Sequence, residues 1–285
     1  MKKALLFVLT VFGFVALYGC NSSSTIDVSS DNFDAIQERG YIVVGLECAY
    51  APFNWTVQDS NAYDTAVIID GTNNYCDGYD IQVATAIAEG LGVDLVVKAV
   101  DWDGLIPSLS ESGQIDMIIA GMSPTAERAQ TVAFSDEYYN STHVVVLRSD
   151  SAYANATSIN DFSGASVVAQ MSTIYDDLVD QLTGATHENP LGDVPTIVTA
   201  INAGTYDATI LELPVAIAVC ESNPELTYIT FTEGNGFNVS YEDSAVAIAV
   251  RQADVTLLAR INTILGTISS DTREEWMLSA IDRQP

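Results

Sequence analysis

A strand-then-helix alternation that runs, stops and begins again constrains this chain more than any other feature. "YIVVGL" (41–46) is a β-branched run of strand length. "YDIQVATAIAEGLG" (79–92) places Ile81, Ala84, Ile87, Ala88 and Leu91 at helical spacing, with Gly92 as the stop. "DLVVKAV" (94–100) predicts a strand, "WDGLIPSLSES" (102–112) a short helix and "IDMIIAG" (115–121) a strand. "TAERAQTVAF" (125–134) predicts a helix with Thr125 as N-cap. After "THVVVLRSD" (142–150) the pattern restarts, with strand "ASVVAQ" (165–170), helices "TIYDDLVDQL" (173–182) and "PTIVTAINAG" (195–204), and strand "DATILE" (207–212). Such alternation implies α/β architecture, a mostly parallel sheet flanked by helices. "GQIDMIIAG" (113–121) and "GTYDATILE" (204–212) share Gly and Asp at equal spacing. Any helix–Gly–strand unit can look this way; the sharper alternative is two lobes of similar topology.

In open α/β sheets ligands bind beyond the carboxyl ends of the strands. That rule selects Glu47 and Tyr50 after the first strand, Trp102 after the second and Gly121 to Ser123 after the third. In the second half it selects Gln170 to Thr173 and Glu212. Arg128 follows closely in "GMSPTAER" (121–128), one of 10 Lys and Arg in a chain with 38 Asp and Glu.

That charge balance excludes nucleic acid as a partner, because phosphate binding needs clustered Lys and Arg. The first residues stand apart. Lys2 and Lys3 precede an apolar run from Ala4 to Leu17 and then Tyr18-Gly19-Cys20, the layout of an export signal over 1–19. The Leu17–Cys20 stretch resembles a bacterial lipobox, which implies acylation of Cys20. The serine-rich residues after it then read as a flexible tether within 20–38. Losing the two lysines takes the net charge from −28 to −30, a matter of solubility or of a salty or acidic niche. No other segment is long and apolar enough to span a membrane.

Three cysteines remain, Cys48, Cys76 and Cys220. An odd count in an exported protein allows one disulfide. Cys48 follows the first strand and Cys76 precedes the first long helix, so a Cys48–Cys76 bond is expected, with Cys220 a buried free thiol. No spacing suggests a metal site, and no cofactor motif is present. His143 and His187 have no visible partners for catalysis or metal binding, so they read as solvent-facing or core residues, and Asp101 and Asp103 read as helix-capping residues.

Five segments together resemble the solute-binding proteins of polar amino-acid ABC importers, the bacterial family 3 type. They are "YIVVGLECAYAPFNW", "GYDIQVATAIAEGLGV", "WDGLIPSLSESGQIDMIIAGMSPTAERAQTVAFSDEYY", "VVAQMSTIYDDL" and "INAGTYDATILELPVA". The resemblance spans about Arg39 to Ile281. It implies a type II periplasmic-binding-protein fold, two lobes joined by two hinge strands near 143–147 and 245–250. Lobe 1 would comprise 39–142 plus 251–285, and lobe 2 148–244. It further implies that Arg128 grips the α-carboxylate of a free amino acid, a role that suits a planar guanidinium fork. Thr173 would donate to that carboxylate from the second lobe. The Gly121 carbonyl, the Ser123 hydroxyl and Glu212 would take the α-ammonium, and Tyr50 and Trp102 would wall the pocket. Glu47, near the side-chain end, favours polar or cationic ligands over acidic ones. Three departures from the family pattern stand out: Ser172 replaces a usual Gly, Glu212 a usual Asp, and 57–77 is long.

The implied function is capture of an amino acid by an exported, lipid-anchored monomer and its delivery to an ABC permease. Dehydratases of aromatic-amino-acid synthesis and sensor receptor domains use the same fold. The first would need an acid or base poised on substrate, for which Glu47 or Glu212 could serve. The zwitterion clamp and the lack of nucleophile, metal or cofactor motifs favour a binder. No membrane helix or kinase region follows toward Pro285, which disfavours a receptor.

Overall fold

The computed structural model describes residues 27–59 and 63–285. The export segment, Cys20 and the tether up to residue 26 lie outside the described residues.

In chain order, α1 (Phe33–Arg39) leads into β1 (Tyr41–Leu46), β2 (Ala49–Tyr50), β3 (Asn54–Val57), β4 (Val67–Ile68) and β5 (Tyr75–Asp77). Next come α2 (Tyr79–Leu91), β6 (Asp94–Ala99), α3 (Trp102–Ser110), β7 (Met117–Ile118), β8 (Val132–Asn140) and β9 (His143–Arg148). They are followed by β10 (Ser166–Val167), α4 (Ile174–Val179), β11 (Thr186–His187), α5 (Val194–Asn202), β12 (Ala208–Glu212) and α6 (Leu213–Ser222). The chain ends with β13 (Leu226–Ile229), α7 (Tyr241–Ser244), β14 (Ala245–Arg251), α8 (Val255–Leu265) and α9 (Ser270–Arg283).

Two five-stranded sheets form the two lobes, in the orders β6-β1-β7-β14-β8 and β11-β10-β12-β9-β13. Each is mixed, not mostly parallel. The first three strands of each order run parallel, whereas β14 and β8, and likewise β9 and β13, pair antiparallel. The reason is the connection between lobes: the chain leaves the first sheet along β8, turns at 141–142 into β9 of the second, and returns along β14. The two orders superpose position for position, so β7 and β12 hold the same central place. The short repeat that ends at Gly121 and at Glu212 therefore reflects matching topology.

Side-chain alternation explains how β9 is buried on both faces. Val144 and Val146 join the larger apolar cluster, with Val194, Ile197 and Ile201 of α5. Val145 and Leu147 join a second cluster with Tyr175, Leu178 and Val179 of α4. All seven residues of β14 are buried.

Three further expectations need correction: the helix over 125–134, the Cys48–Cys76 bond and the full burial of Cys220. Residues 125–134 do not form an α-helix: only Arg128–Gln130 make a 3₁₀ turn, because Val132 already begins β8. Thr125 still acts as a cap, its hydroxyl accepting from the Arg128 N–H at 3.3 Å. The long 57–77 segment contributes to an antiparallel sheet, order β2-β3-β5-β4, that extends the first sheet through a parallel bridge between Ile69 and Val97. Cys48 and Cys76 are buried free thiols, not a disulfide. Cys48 precedes β2 and Cys76 lies on β5, one on each side of β3, and the two thiols meet there as free groups. Cys220 is half-buried, and burial pushes its thiol up to about 11.

Candidate functional site

The carboxyl ends of both central strands face one cleft, and the side chains there meet across it. Tyr50, Glu47, Trp102, Gly121, Ser123 and Arg128 come from the first lobe; Gln170, Thr173, Ile174 and Tyr175 come from the second. Together they line a small space of about 10 Å³. Glu212 lies just behind this space, 2% exposed, and accepts a 2.6 Å hydrogen bond from the Tyr50 hydroxyl. All eight predicted ligand contacts are thus brought together.

Arg128 spans the cleft. Its Nη1 donates to the Ser123 carbonyl at 2.9 Å and its Nη2 to the Ser172 carbonyl at 3.0 Å. Trp102 lies against the guanidinium at 5.0 Å and donates from Nε1 to the same Ser172 carbonyl at 3.1 Å. That carbonyl is aimed by a left-handed residue, since Ser172 has φ 59° where an L side chain is uncommon. A second left-handed residue, Cys48 (φ 54°), follows Glu47. Strained backbone of this kind clusters at functional sites, and here both examples flank the cleft.

Gly121 must be glycine. Its φ is 61°, and a Cβ would stand 2.9 Å from the Tyr50 ring. Its N–H donates to the Tyr138 hydroxyl at 3.2 Å, which in turn donates to Asp80 at 2.7 Å. Asn54 supplies a second donor to Asp80, at 2.8 Å. This buried relay holds the Gly121 backbone in place. The Ser123 hydroxyl donates to the Asp243 carbonyl, on the return segment between lobes, at 3.1 Å. Thr173 occupies the N-cap position of α4, but its hydroxyl donates back to the Gln170 carbonyl at 2.7 Å.

Three carboxyl groups are strongly perturbed, and burial pushes the first, Asp80, up to about 6. Burial pushes Glu212 up to about 8; the Tyr50 hydrogen bond opposes the rise and Asp80 adds to it. Burial likewise pushes Glu47 up to about 7 against a hydrogen bond from Gln170, with Asp193, Asp101 and Asp103 contributing repulsion. Gln170 Nε2 bridges the lobes, 3.2 Å from Glu47 and 3.1 Å from the Gly192 carbonyl. Burial lowers the pKa of Arg128, yet a guanidinium stays charged.

The strand-end rule found most of this cleft but missed Tyr175, Ile174 and Asp193. Tyr175 presents its hydroxyl to both Tyr50 and Glu212. Its signal was its place in the first turn of a helix that opens at the cleft. Asp193 is the N-cap of α5, accepting from Thr196 N–H at 2.8 Å. His187 is not isolated: it bonds Asp176 at 2.8 Å and Asp180 at 2.9 Å on the surface of the second lobe. Among the described residues no group of three or more His, Cys, Asp or Glu could hold a metal ion, and no helix is long and apolar enough to cross a membrane.

The arrangement can hold a small ligand that carries an anion against Arg128 and a cation against Glu212, with its tail toward Glu47. Comparison with known proteins points the same way. The family model for bacterial extracellular solute-binding proteins, family 3, matches residues 42–278. The arginine-binding extracellular protein ArtP of Bacillus subtilis is 28% identical, covering 93% of this chain and 92% of its own. The crystal structure of the substrate-binding protein AbpA of Streptococcus pneumoniae, bound to L-arginine, matches with a TM-score of 0.71 at 26% identity, covering 88% and 98%. An ancestral amino-acid-binding protein, AncCDT-1, described as a precursor of cyclohexadienyl dehydratase, matches with a TM-score of 0.72 at 25% identity, covering 88% and 100%.

Proposed function

The chain belongs to the bacterial extracellular solute-binding proteins of family 3, and from that premise we propose that it captures a free amino acid with a cationic side chain and passes it to an ABC importer. Arg128 takes the α-carboxylate, exchanging its bond to Ser172 for two parallel bonds to the ligand. Thr173 and its helix N–H groups approach the same carboxylate from the other lobe. Glu212, the Ser123 hydroxyl and the Gly121 carbonyl receive the α-ammonium, while Tyr50 and Trp102 enclose the ligand's body.

One observation carries the choice of side chain. Glu47 stands at the tail end of the cleft with Asp101, Asp103 and Asp193 close enough to repel its charge. A guanidinium or ammonium tail relieves that repulsion, and a carboxylate tail adds to it. ArtP and AbpA, which bind arginine, are in keeping with this reading. We read the protein as a binder and not a dehydratase, with Glu47 and Glu212 each pairing with a charge at opposite ends of one ligand. Cys20 carries the lipid that tethers the exported protein to the membrane.

A thermal-shift screen over the common amino acids tests the proposal, since ligand stabilises the folded state by mass action. Arginine, lysine or histidine should give the largest rise in melting temperature and glutamate or aspartate the smallest. A largest rise with an acidic amino acid would overturn it. Incubation with prephenate should yield no phenylpyruvate.

A further inference from the structure

Glu212 sits at the end of β12 with its carboxyl sealed from water. The groups that face it come from five elements. Tyr50 of β2 donates to it, Tyr175 of α4 presents its hydroxyl, Asp80 of α2 and Tyr139 of β8 lie behind, and His143 of β9 is its partner in the strand register. His143 supplies no charge, because burial pushes its imidazole down to about 4. Arg128 acts on Tyr175, one group removed. A carboxylate in this setting has hydroxyl donors but repulsion from Asp80 and no aqueous solvation, conditions that favour its neutral form.

We propose that Glu212 exchanges its proton for the ligand's α-ammonium, so that capture of an amino acid releases a proton and weakens as the medium becomes acidic. This rests on the amino-acid reading above. The step is balanced: the carboxyl O–H bond breaks, the proton passes to buffer, and the carboxylate keeps the electron pair and accepts an N–H bond from the ammonium. The Tyr175 hydroxyl, on the same lobe as Glu212, stays beside the carboxylate throughout.

The direction follows from the geometry of the empty site, a carboxyl 2% exposed with Asp80 behind it, and burial pushes its pKa up to about 8. Below that pH the empty Glu212 holds its proton, and the bound ammonium favours the ionised form. Affinity should therefore rise with pH, by about tenfold per unit for each proton displaced, and level off above pH 8. Glu47, at about 7, adds a second proton when the ligand's tail is cationic. Tyr139 and Asp80 do not touch the ammonium directly; Asp80, itself pushed up to about 6 by burial, sets the position of the curve at its acid end.

Titration calorimetry with L-arginine at pH 6, in phosphate and in Bis-Tris, counts the protons released, because the two buffers differ in ionisation enthalpy. The wild type should release between one and two, and Glu47→Gln about one. Glu212→Gln should lower the wild-type count by about one. Tyr175→Phe, which removes one donor to the ionised carboxyl, should move the midpoint of the affinity–pH curve upward. Binding of arginine with no proton exchanged, and equal affinity at pH 6 and 8.5, overturns the inference alone. An unchanged proton count in Glu212→Gln does the same. Failure of the wild type to bind any amino acid at pH 8.5 overturns the amino-acid reading, and this inference with it.

Discussion

Arg128 holds two carbonyls at once, one from its own lobe and one, through Ser172, from the other. The fork that reaches two backbone oxygens has the geometry that the proposed carboxylate contact needs. Lysine keeps the charge but has one point of contact. Arg128→Lys should weaken amino-acid binding by about 2 kcal/mol or more with little change in folding stability, measured by calorimetry and by denaturant unfolding. Unchanged affinity would remove Arg128 from the site. Ser172 contributes through its backbone, because the left-handed turn, unfavourable by about 1 kcal/mol for an L residue, is what points its carbonyl at Arg128 and Trp102.

At the scale of elements, β14 organises the first lobe. It is buried end to end, and its last residue, Arg251, is an ion inside the core, 1% exposed. Arg251 Nη1 donates to the Ile115 carbonyl at 2.9 Å and Nη2 to Asp116 at 3.4 Å. Its Nε lies 2.7 Å from Asp254 Oδ2, an ionic contact whose direction falls short of a hydrogen bond. Arg39, at the end of α1, pairs with the same Asp116. The network joins α1, the loop before β7 and the start of α8, and neither acid has water to fall back on. Arg251→Met leaves Asp254 without its cation and Asp116 with one fewer, and should cost about 3–5 kcal/mol in denaturant unfolding. Arg148, whose partner Asp150 is exposed, should change stability by less than about 1 kcal/mol when replaced by alanine. Equal losses in the two variants would mean that the core network contributes no more than a surface pair.

Across the whole molecule, side chains bridge the lobes: Tyr50 to Glu212, Trp102 and Arg128 to the Ser172 carbonyl, and Gln170 to Glu47. The space left between them, about 10 Å³, admits roughly one water, whereas the adjoining cleft, lined by Trp102, Arg128, Ser172 and Asp177 among others, measures about 630 Å³. An amino acid therefore enters only when the lobes part and Arg128, Trp102, Tyr50 and Gln170 release their partners across the cleft. What closes them again is a ligand that rewards both lobes, since it shifts the equilibrium only by its difference in affinity for the two states. Agmatine, arginine without its carboxylate, gives Arg128 nothing to hold. It should bind at least about tenfold more weakly than L-arginine, a difference of about 1.4 kcal/mol, and compact the protein less in small-angle scattering. Equal compaction by both would defeat a clamp split between the lobes.

Local rules read much of this protein directly from the chain. Hydrophobic period distinguished β1 from α2, and the strand-end rule marked Glu47, Gly121, Gln170 and Glu212 as neighbours although more than 160 residues separate the first from the last. Those signals survive because each needs only its own few residues and the one-sided burial they imply. The failures were of another kind. Arg128 sits in a single turn because β8 must start at Val132 to pair with β14, a partner more than a hundred residues away. Cys48 and Cys76 do meet side chain to side chain, as their chain positions suggest, but as free thiols on either side of β3. Tyr175 and Asp193 reach the cleft only because the second lobe folds over the first. Charge state was the least legible of all: Glu47 and Glu212 are ordinary carboxyls in the sequence. Their protons are held by burial and by neighbouring acids that tertiary structure alone brings within range.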